Sequence, residues 1–430
     1  MKKLIIFALF ATVGINFSCS ESFLEVQPQG AASLTSLSNK NGVNALLVGA
    51  YSLLDGVGAG NTGRTSTISN YVFGGITSGD AVKGTDAGDQ PEQSFIEQFT
   101  WFAENTYFLG KWQHTYDGVA RANEAILLAK STDVKDMTDA EKTQVIAEAR
   151  FLRGHYHFEG KKMWNMIPYI DENTYKRDDP NSTKVANDKD IWPNIEDDFK
   201  FAAANLPATQ VQKGRATKGA AQALLGKVYL YQNKFVESAA VLESLINSNS
   251  YSLVSNYNSI FEASGENNAE SVFEVQYTDA EGADFGCLQC SEGNVAVGFN
   301  GIRNYVGPLF DSGYSFNVPT QEAYNAFESG DRRRDVAILN ITSWAALNTG
   351  VSYGTGYKHT GFFNRKYIAR QGDANIGDQN LTNPNNYRSI RYADVLLMAA
   401  EANSRSGNNS KGQQYINAVR DRAFGDTNHR

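Results

Sequence analysis

Two helix pairs of matched size, set on either side of a long irregular stretch, constrain this chain more than any other feature. In residues 215–249, Ala220, Leu224, Val228 and Tyr231 fall on one helical stripe, and Phe235, Ala239, Leu242 and Ile246 on the next, with Asn233-Lys234 between them. Ala223, Gly226 and Ala240 put small side chains where two helices must approach closely. Residues 391–423 repeat the arrangement, with Val395, Ala399 and Ala402 on a first helix, Tyr415, Ile416 and Val419 on a second, and Ser406-Gly407-Asn408 between. One pair cannot bury its apolar face alone, so several must stack. The expected fold is therefore mainly α: a scaffold of helix pairs carrying a large loop-rich insertion and a few short strands.

Each pair is about 34 residues long, the size of a tetratricopeptide unit. Further helices are expected at 41–54, where Leu46, Leu47, Ala50, Leu53 and Leu54 share a face, at about 102–128, with Trp112, Tyr116, Val119 and Ile126 as core candidates, and at about 139–163. The scaffold thus spans about 102–249 and 391–423. Residues 55–101 and 251–390 are rich in Gly, Ser, Asn and other polar residues and lack long periodicity; long irregular segments in a compact protein are functional or disordered. Short strands are expected at Ser271–Tyr277 and around Phe362–Ile368.

The chain opens with Met-Lys-Lys and runs twelve apolar or small residues from Leu4 to Ile15 before Ser18-Cys19. This reads as an export signal. Twelve residues are too few to span a bilayer as a helix, where about 20 are needed. Ser18-Cys19 is the junction a lipoprotein signal peptidase uses, so Cys19 is expected to carry acyl chains and tether the protein to a lipid bilayer. Asn16 stands where a strict lipobox has Leu, and a secreted protein cleaved nearby is the alternative. Residues 1–18 are then a signal peptide, 19–38 an extended tether broken by Pro28 and Gly30, and 39–430 a single domain. The net charge of −8, or −10 once Lys2 and Lys3 are removed, argues against nucleic acid as a partner. Besides Cys19 there are only Cys287 and Cys290, which excludes a disulfide scaffold and leaves a loop disulfide or two free thiols. Zinc would need two more ligands that no nearby residue supplies, so no metal and no cofactor are expected.

Several segments resemble the SusD/RagB family of nutrient-binding outer-membrane lipoproteins. They are Phe23-Leu24-Glu25-Val26 with Pro28; Trp112 to Tyr116 and on to Arg121-Ala122-Asn123; Glu148-Ala149-Arg150-Phe151-Leu152-Arg153-Gly154 with Tyr156, Phe158 and Ile167-Pro168; Ala204-Asn205-Leu206-Pro207 with Gly214-Arg215-Ala216-Thr217; Arg391 to Ala402; and Asn417, Val419-Arg420 and Arg422-Ala423. The family pattern continues past this point with a further helix, so either the sequence is a fragment or the protein is trimmed, and in the latter case the helix at Gln413–Arg422 is expected to show an apolar face. The resemblance implies four tetratricopeptide-like units and a surface lipoprotein of the outer membrane, facing the cell exterior, that sits as a lid on a TonB-dependent transporter barrel. It also implies binding of oligosaccharides, less often peptides, without chemistry. Ser20-Glu21 resembles the acidic export tag of Bacteroidetes lipoproteins.

No motif competes with that expectation. Gly350-Val351-Ser352-Tyr353-Gly354 has the letters of a serine-hydrolase elbow but neither the strand before nor the helix after. Gly58-Ala59-Gly60-Asn61-Thr62-Gly63 enters polar loop rather than a helix, against a dinucleotide role. His155 and His157 lie on different faces of one helix, His155 toward solvent and His157 toward the next helix. Glu148, Arg150 and Arg153 are poorly spaced to pair within their helix and should pair across to a neighbour. Asp331 to Asp335 reads as a solvated turn. No carboxylate pair stands out, since such spacing is set in space, and no catalytic residue is expected.

Sugars present flat C–H faces ringed by hydroxyls, which a protein meets with an exposed aromatic ring and with Asn, Asp, Gln or Arg side chains. Aromatic candidates in loops are Tyr71, Trp101, Tyr305, Tyr314, Trp344, Tyr353 and Tyr357, with Asn70, Asp80, Asn300, Arg303 and Asn304 as polar partners. The leading expectation is glycan capture; a peptide-binding or protein-interaction scaffold is the alternative, and a glycoside hydrolase a third.

Overall fold

The computed structural model describes residues 34–55, 71–131, 133–280, 292–373 and 382–430. The signal peptide, Cys19, most of the tether, the 58–63 glycines, Asn70, Cys287 and Cys290 lie outside the described residues. The end of the expected tether is a short helix, Leu34–Leu37.

The main helices are α1 (Lys40–Ser52), α2 (Pro91–Glu97), α3 (Thr106–Lys130), α4 (Asp139–Trp164), α5 (Trp192–Asn205), α6 (Lys218–Tyr231), α7 (Phe235–Asn247), α8 (Ile341–Leu347), α9 (Tyr392–Arg405) and α10 (Asn409–Phe424). Local chemistry sets their starts. Asn39, Asn105, Thr217 and Asn408 each accept a hydrogen bond from a backbone N–H in the first turn, and Thr138 with Glu141 forms a reciprocal capping box for α4. The Asn105 cap starts α3 four residues later than the periodicity implied, so Trp101 and Phe102 fall outside it. α2 and α5 were not expected. Pro91 opens α2 inside a stretch read as irregular, and its seven residues are too few to show a period.

The helices stack in a row: α1 on α3, α3 on α4, α4 on α5, α5 on α6, α6 on α7, α7 on α9 and α9 on α10. That is four helix pairs sharing one apolar core, which includes Val43, Phe151, Phe199, Leu242 and Val419. The α6–α7 approach depends on Gly226, where an added Cβ would lie 2.5 Å from the Leu242 side chain and where Ser238 Oγ donates to the Gly226 carbonyl at 2.8 Å. On α10, Tyr415 and Val419 are buried while Ile416 stays exposed. Among the described residues no helix is long and apolar enough to cross a membrane.

Charge is buried between these helices in paired form. Asp198 on α5 is sealed from solvent and accepts from Arg150 Nε at 2.8 Å, Arg153 Nη2 at 2.6 Å and Tyr169 Oη at 2.9 Å. Arg153 also reaches Asn123 on α3 and Glu172. Glu148 accepts from Arg215 at 3.2 Å and from Tyr51 of α1 at 2.8 Å. These partners lie outside α4, on α1, α3 and α5 and the segments between helices, as the poor intrahelical spacing of the three residues implied. His157 is fully buried: the Ile170 N–H donates to its Nε2 at 3.2 Å, so Nδ1 carries the proton and faces the Arg153 carbonyl at 3.1 Å. His155 is half-buried against Tyr156 rather than solvated.

The insertion between α7 and α9 contributes short strands to two-stranded ribbons, one of them completed by a strand that precedes α2. β1 (Ala81–Val82) pairs with β5 (Val318–Pro319), β2 (Ser271–Val275) with β8 (Tyr387–Arg391), β3 (Ile302–Arg303) with β4 (Ser312–Gly313), and β6 (Ile338–Asn340) with β7 (Phe362–Asn364). Both expected strands form, but they stop at Val275 and Asn364. The β2–β8 ribbon lays Phe273 edge-on against Phe151 at 5.0 Å, so the insertion joins the helical core. Buried Glu270 accepts from Arg422 at 2.9 Å and from Arg391, and its carbonyl accepts the Tyr392 N–H at 2.7 Å, fastening the insertion to α9 and α10. Smaller cores form around Tyr71, Ile96, Tyr107 and Phe299, and around Ile302, Tyr305, Phe310 and Phe363.

Asp198→Ala takes the carboxylate from Arg150 and the Tyr169 hydroxyl and leaves Arg153 with Glu172 alone as an acid partner, and is expected to lower the unfolding free energy by about 3–5 kcal/mol in urea titrations. Burial holds His157 and His114 at about 3, so both are neutral in the folded chain. They take up protons on unfolding, so stability is complete above the ordinary histidine value near 6.5 and falls as pH drops toward 3. Urea midpoints measured between pH 7 and 5 should decline, and His157→Gln should flatten that decline.

Candidate functional site

The site is built where α2 hands over to α3. α2 ends at Glu97, and Phe99 adopts a left-handed φ of 56° that turns the chain back, with the Thr100 N–H donating to the Phe95 carbonyl at 2.9 Å. At the far end Asn105 caps α3 and donates from Nδ2 to the Glu92 carbonyl at 3.1 Å, while Thr106 donates to the Glu92 carboxylate. The loop is pinned at both ends, and its aromatic side chains point outward. Phe99 is 63% exposed and Trp101 44%, and Phe95 and Phe102 are exposed beside them. Phe99 and Trp101 lie 5.6 Å apart with their rings inclined by 54°; Phe95 and Phe102 are also 5.6 Å apart. The Trp101 ring stands edge-on to Phe108 at 5.6 Å, which in turn stacks on Phe73 at 5.7 Å. Beneath them Gln93 is buried and donates to the hydroxyls of Tyr107 and Tyr71, at 2.6 and 3.2 Å.

Glu97 connects this loop to a polar wall. Its carboxylate takes the Lys358 ammonium at 2.8 Å and the Lys83 backbone N–H at 3.2 Å. Lys83 donates from Nζ to the Asp86 carbonyl at 2.7 Å; burial pushes its ammonium below the usual lysine value, against the pull of Asp89, Glu97 and Asp86. Arg303 reaches Thr85 Oγ1 at 3.2 Å and Asp86 at 2.5 Å. The Gly354 N–H donates to the Arg303 carbonyl and the Tyr357 N–H to the Thr85 carbonyl, each at 2.7 Å. Gly356, at φ 62°, permits this crossing, since a Cβ there would lie 2.9 Å from the Thr85 carbonyl oxygen.

The expected site residues therefore divide. Trp101 is exposed, Arg303 and Tyr357 meet the 83–86 turn that Glu97 joins to the aromatic loop, and Asn304 is exposed beside Gly354. Asp80 is exposed at the neighbouring β1–β5 ribbon, its carbonyl accepting the Thr320 N–H. The remaining aromatics were expected to be loop platforms and are packing residues instead. Tyr71 is 6% exposed, with its ring tilted against Phe299 and its hydroxyl accepting from Gln93. Tyr305, also 6% exposed, receives the Trp344 indole N–H at 2.9 Å, and Trp344 lies 5.2 Å from Phe310. Tyr314 packs on Phe299, and Tyr353 between His359 and Phe363. Asn300 accepts from Asn317 at 3.2 Å. Phe95, Phe99 and Phe102 were not among the expected site residues. Their spacing of four and three is that of an ordinary buried helix face, and only the early end of α2 turns them out.

Residues 22–230 match a family described as starch-binding and associating with the outer membrane, and residues 269–429 match the SusD family. A laminarin binding SusD-like protein of solved structure is 32% identical, with 90% of this chain and 84% of that chain covered and a TM-score of 0.78. The chain belongs to the SusD family. Surface glycan-binding protein A from Bacteroides fluxus is similar at 27% identity, 91% and 83% coverage and a TM-score of 0.79. The Bacteroides thetaiotaomicron protein of that name, solved in complex with laminarihexaose, is 26% identical over 90% of this chain and 83% of that one, at a TM-score of 0.78. A SusD-like protein of Bacteroides ovatus is 28% identical over 440 residues, spanning 96% of this chain and 75% of its own.

Within this SusD-family fold the Arg303 side chain braces Thr85 and Asp86, and the Thr85 carbonyl in turn holds the Tyr357 N–H of the 354–358 turn. Arg303→Ala is expected to speed hydrogen exchange at the Tyr357 amide while leaving amides in α4 and α5 unchanged, as mass spectrometry of exchanged peptides would read.

Proposed function

We propose that this protein captures an oligosaccharide at the cell surface, anchored through Cys19, and passes it to a TonB-dependent transporter without breaking a bond. The observation that carries this is the Phe99–Trp101 pair: two large rings held in water by a loop pinned at both ends, outside the helical core. A monomer leaves such rings exposed in a patch only where something covers them. Stacking of C–H faces on the rings supplies the affinity, and Arg303, Asn304 and Asp80 supply hydrogen-bonding partners nearby. Rings inclined by 54° suit a glycan whose sugar faces turn from unit to unit rather than a flat ribbon. The likeness to a laminarin binding protein and to one solved with laminarihexaose supports a laminarin-type glucan as the first ligand to try.

The test is isothermal titration with laminarihexaose. Trp101→Ala is expected to weaken binding at least about tenfold, the loss of one aromatic contact of ~1.5 kcal/mol, with an unchanged melting temperature. Equal affinity in wild type and variant would overturn the site. Release of shortened sugars would overturn the absence of catalysis.

A further inference from the structure

Away from the aromatic loop, several charged side chains line a cleft where β8, α9 and α10 meet the 254–262 and 331–333 segments. Its lining includes Arg333, Arg388, Arg391, Arg422, Tyr257 and Ser389, and it opens beside Leu397, which is 40% exposed. The Arg422 guanidinium lies 4.9 Å from the Tyr257 ring centroid, and that of Arg391 5.9 Å. Lys366 approaches the same ring at 4.9 Å and donates to the Tyr257 hydroxyl at 2.6 Å, with no described carboxylate at ion-pair distance.

Five cations here face the carboxylates of Glu270, Asp331, Glu274 and Glu266. Glu270 serves both Arg391 and Arg422, Asp331 holds Arg333 at 2.6 Å, and Glu274 stands 3.8 Å from Arg388. Asp394, the remaining acid of the lining, pairs with Lys227 at 3.7 Å. The Nε atoms of Arg388 and Arg422 are buried and find no acceptor among the described residues. A guanidinium offers five donors in a planar fork, and a buried donor without an acceptor is costly. One compact anion held by the partly exposed Arg333 and Arg391 forks would answer the charge excess.

We propose that this cleft binds a tetrahedral oxoanion, either free sulfate or phosphate or a sulfate ester carried by a saccharide. The site is separate from the aromatic loop, and its ligand is independent of the glycan proposed there. Titration of the purified chain with sodium sulfate, against chloride at matched ionic strength, is expected to show one saturable site. Arg333→Gln should weaken it about tenfold or more, the scale of one charge-assisted contact, with circular dichroism unchanged. Absent saturation, or equal affinity in a folded variant, overturns the proposal. Should the variant fail to fold, crystals of the native protein soaked in selenate decide it: an anomalous peak in the cleft is expected, and a peak only elsewhere, an adventitious ion only, overturns it. Glucose 6-sulfate titrated beside free sulfate identifies the source. Tighter binding of the ester assigns a saccharide-borne group, tighter binding of the ion assigns an inorganic one, and binding of neither overturns the site.

Discussion

A carboxylate that sees no water holds the helical scaffold in register. Asp198 draws Arg150 and Arg153 from α4 and the Tyr169 hydroxyl onto one point of α5, and Arg153 extends the same network to Asn123 on α3. Apolar packing alone would tolerate α4 sliding along α5, because leucine and phenylalanine contacts are nearly non-directional. A buried ion pair is not, since any shift leaves an unpaired charge in a medium that cannot solvate it. Three helices and the 169–172 segment therefore share a single arrangement, and α6, α7, α9 and α10 add to it by ordinary stacking.

The same device secures the insertion. Glu270 sits at the foot of β2 and is held by Arg391, where β8 becomes α9, and by Arg422 near the end of α10. The insertion thus leaves the stack after α7 and is returned to it at a defined place, so α7 and α9 pack directly despite the residues between them. Its outer parts form small cores of their own, and one of them, around Ile96 and Tyr107, is the base on which the aromatic loop stands. The rings of Phe99 and Trp101 are presented by a platform whose underside is packed and hydrogen-bonded through Gln93. A rigid support of that kind spares a ligand the entropy of ordering the loop.

Much of this architecture could be read in advance. The helix pairs at 215–249 and 391–423 appeared in place, because a 3.6-residue period of Leu, Val and Ala is written directly in the chain. The cross-helix partners of Glu148, Arg150 and Arg153 followed from spacings that exclude pairing within one helix. The loop aromatics fared differently. Tyr71, Tyr305, Tyr314, Trp344 and Tyr353 sit in polar, glycine-rich sequence yet pack into the insertion's own cores, where the Tyr71 and Tyr305 hydroxyls and the Trp344 indole N–H find partners 3 to 39 residues away. Trp101 alone of the seven aromatics is plainly exposed, and its neighbours Phe95, Phe99 and Phe102 carry the period of a core helix.

By itself the sequence determined the family, the helical class and the position of every long helix except α5, because these rest on local periodicity, capping residues and motifs contiguous in the chain. Tertiary structure alone decided which aromatic rings face water and which arginines share a cleft. Burial is a property of what arrives from elsewhere in the chain: Phe299 covers Tyr71, Phe310 covers Trp344, and no described residue covers Phe99 to the same degree. Arg333, Arg391 and Arg422 are far apart along the chain, and only the docking of the insertion onto α9 and α10 gathers their charge into one place.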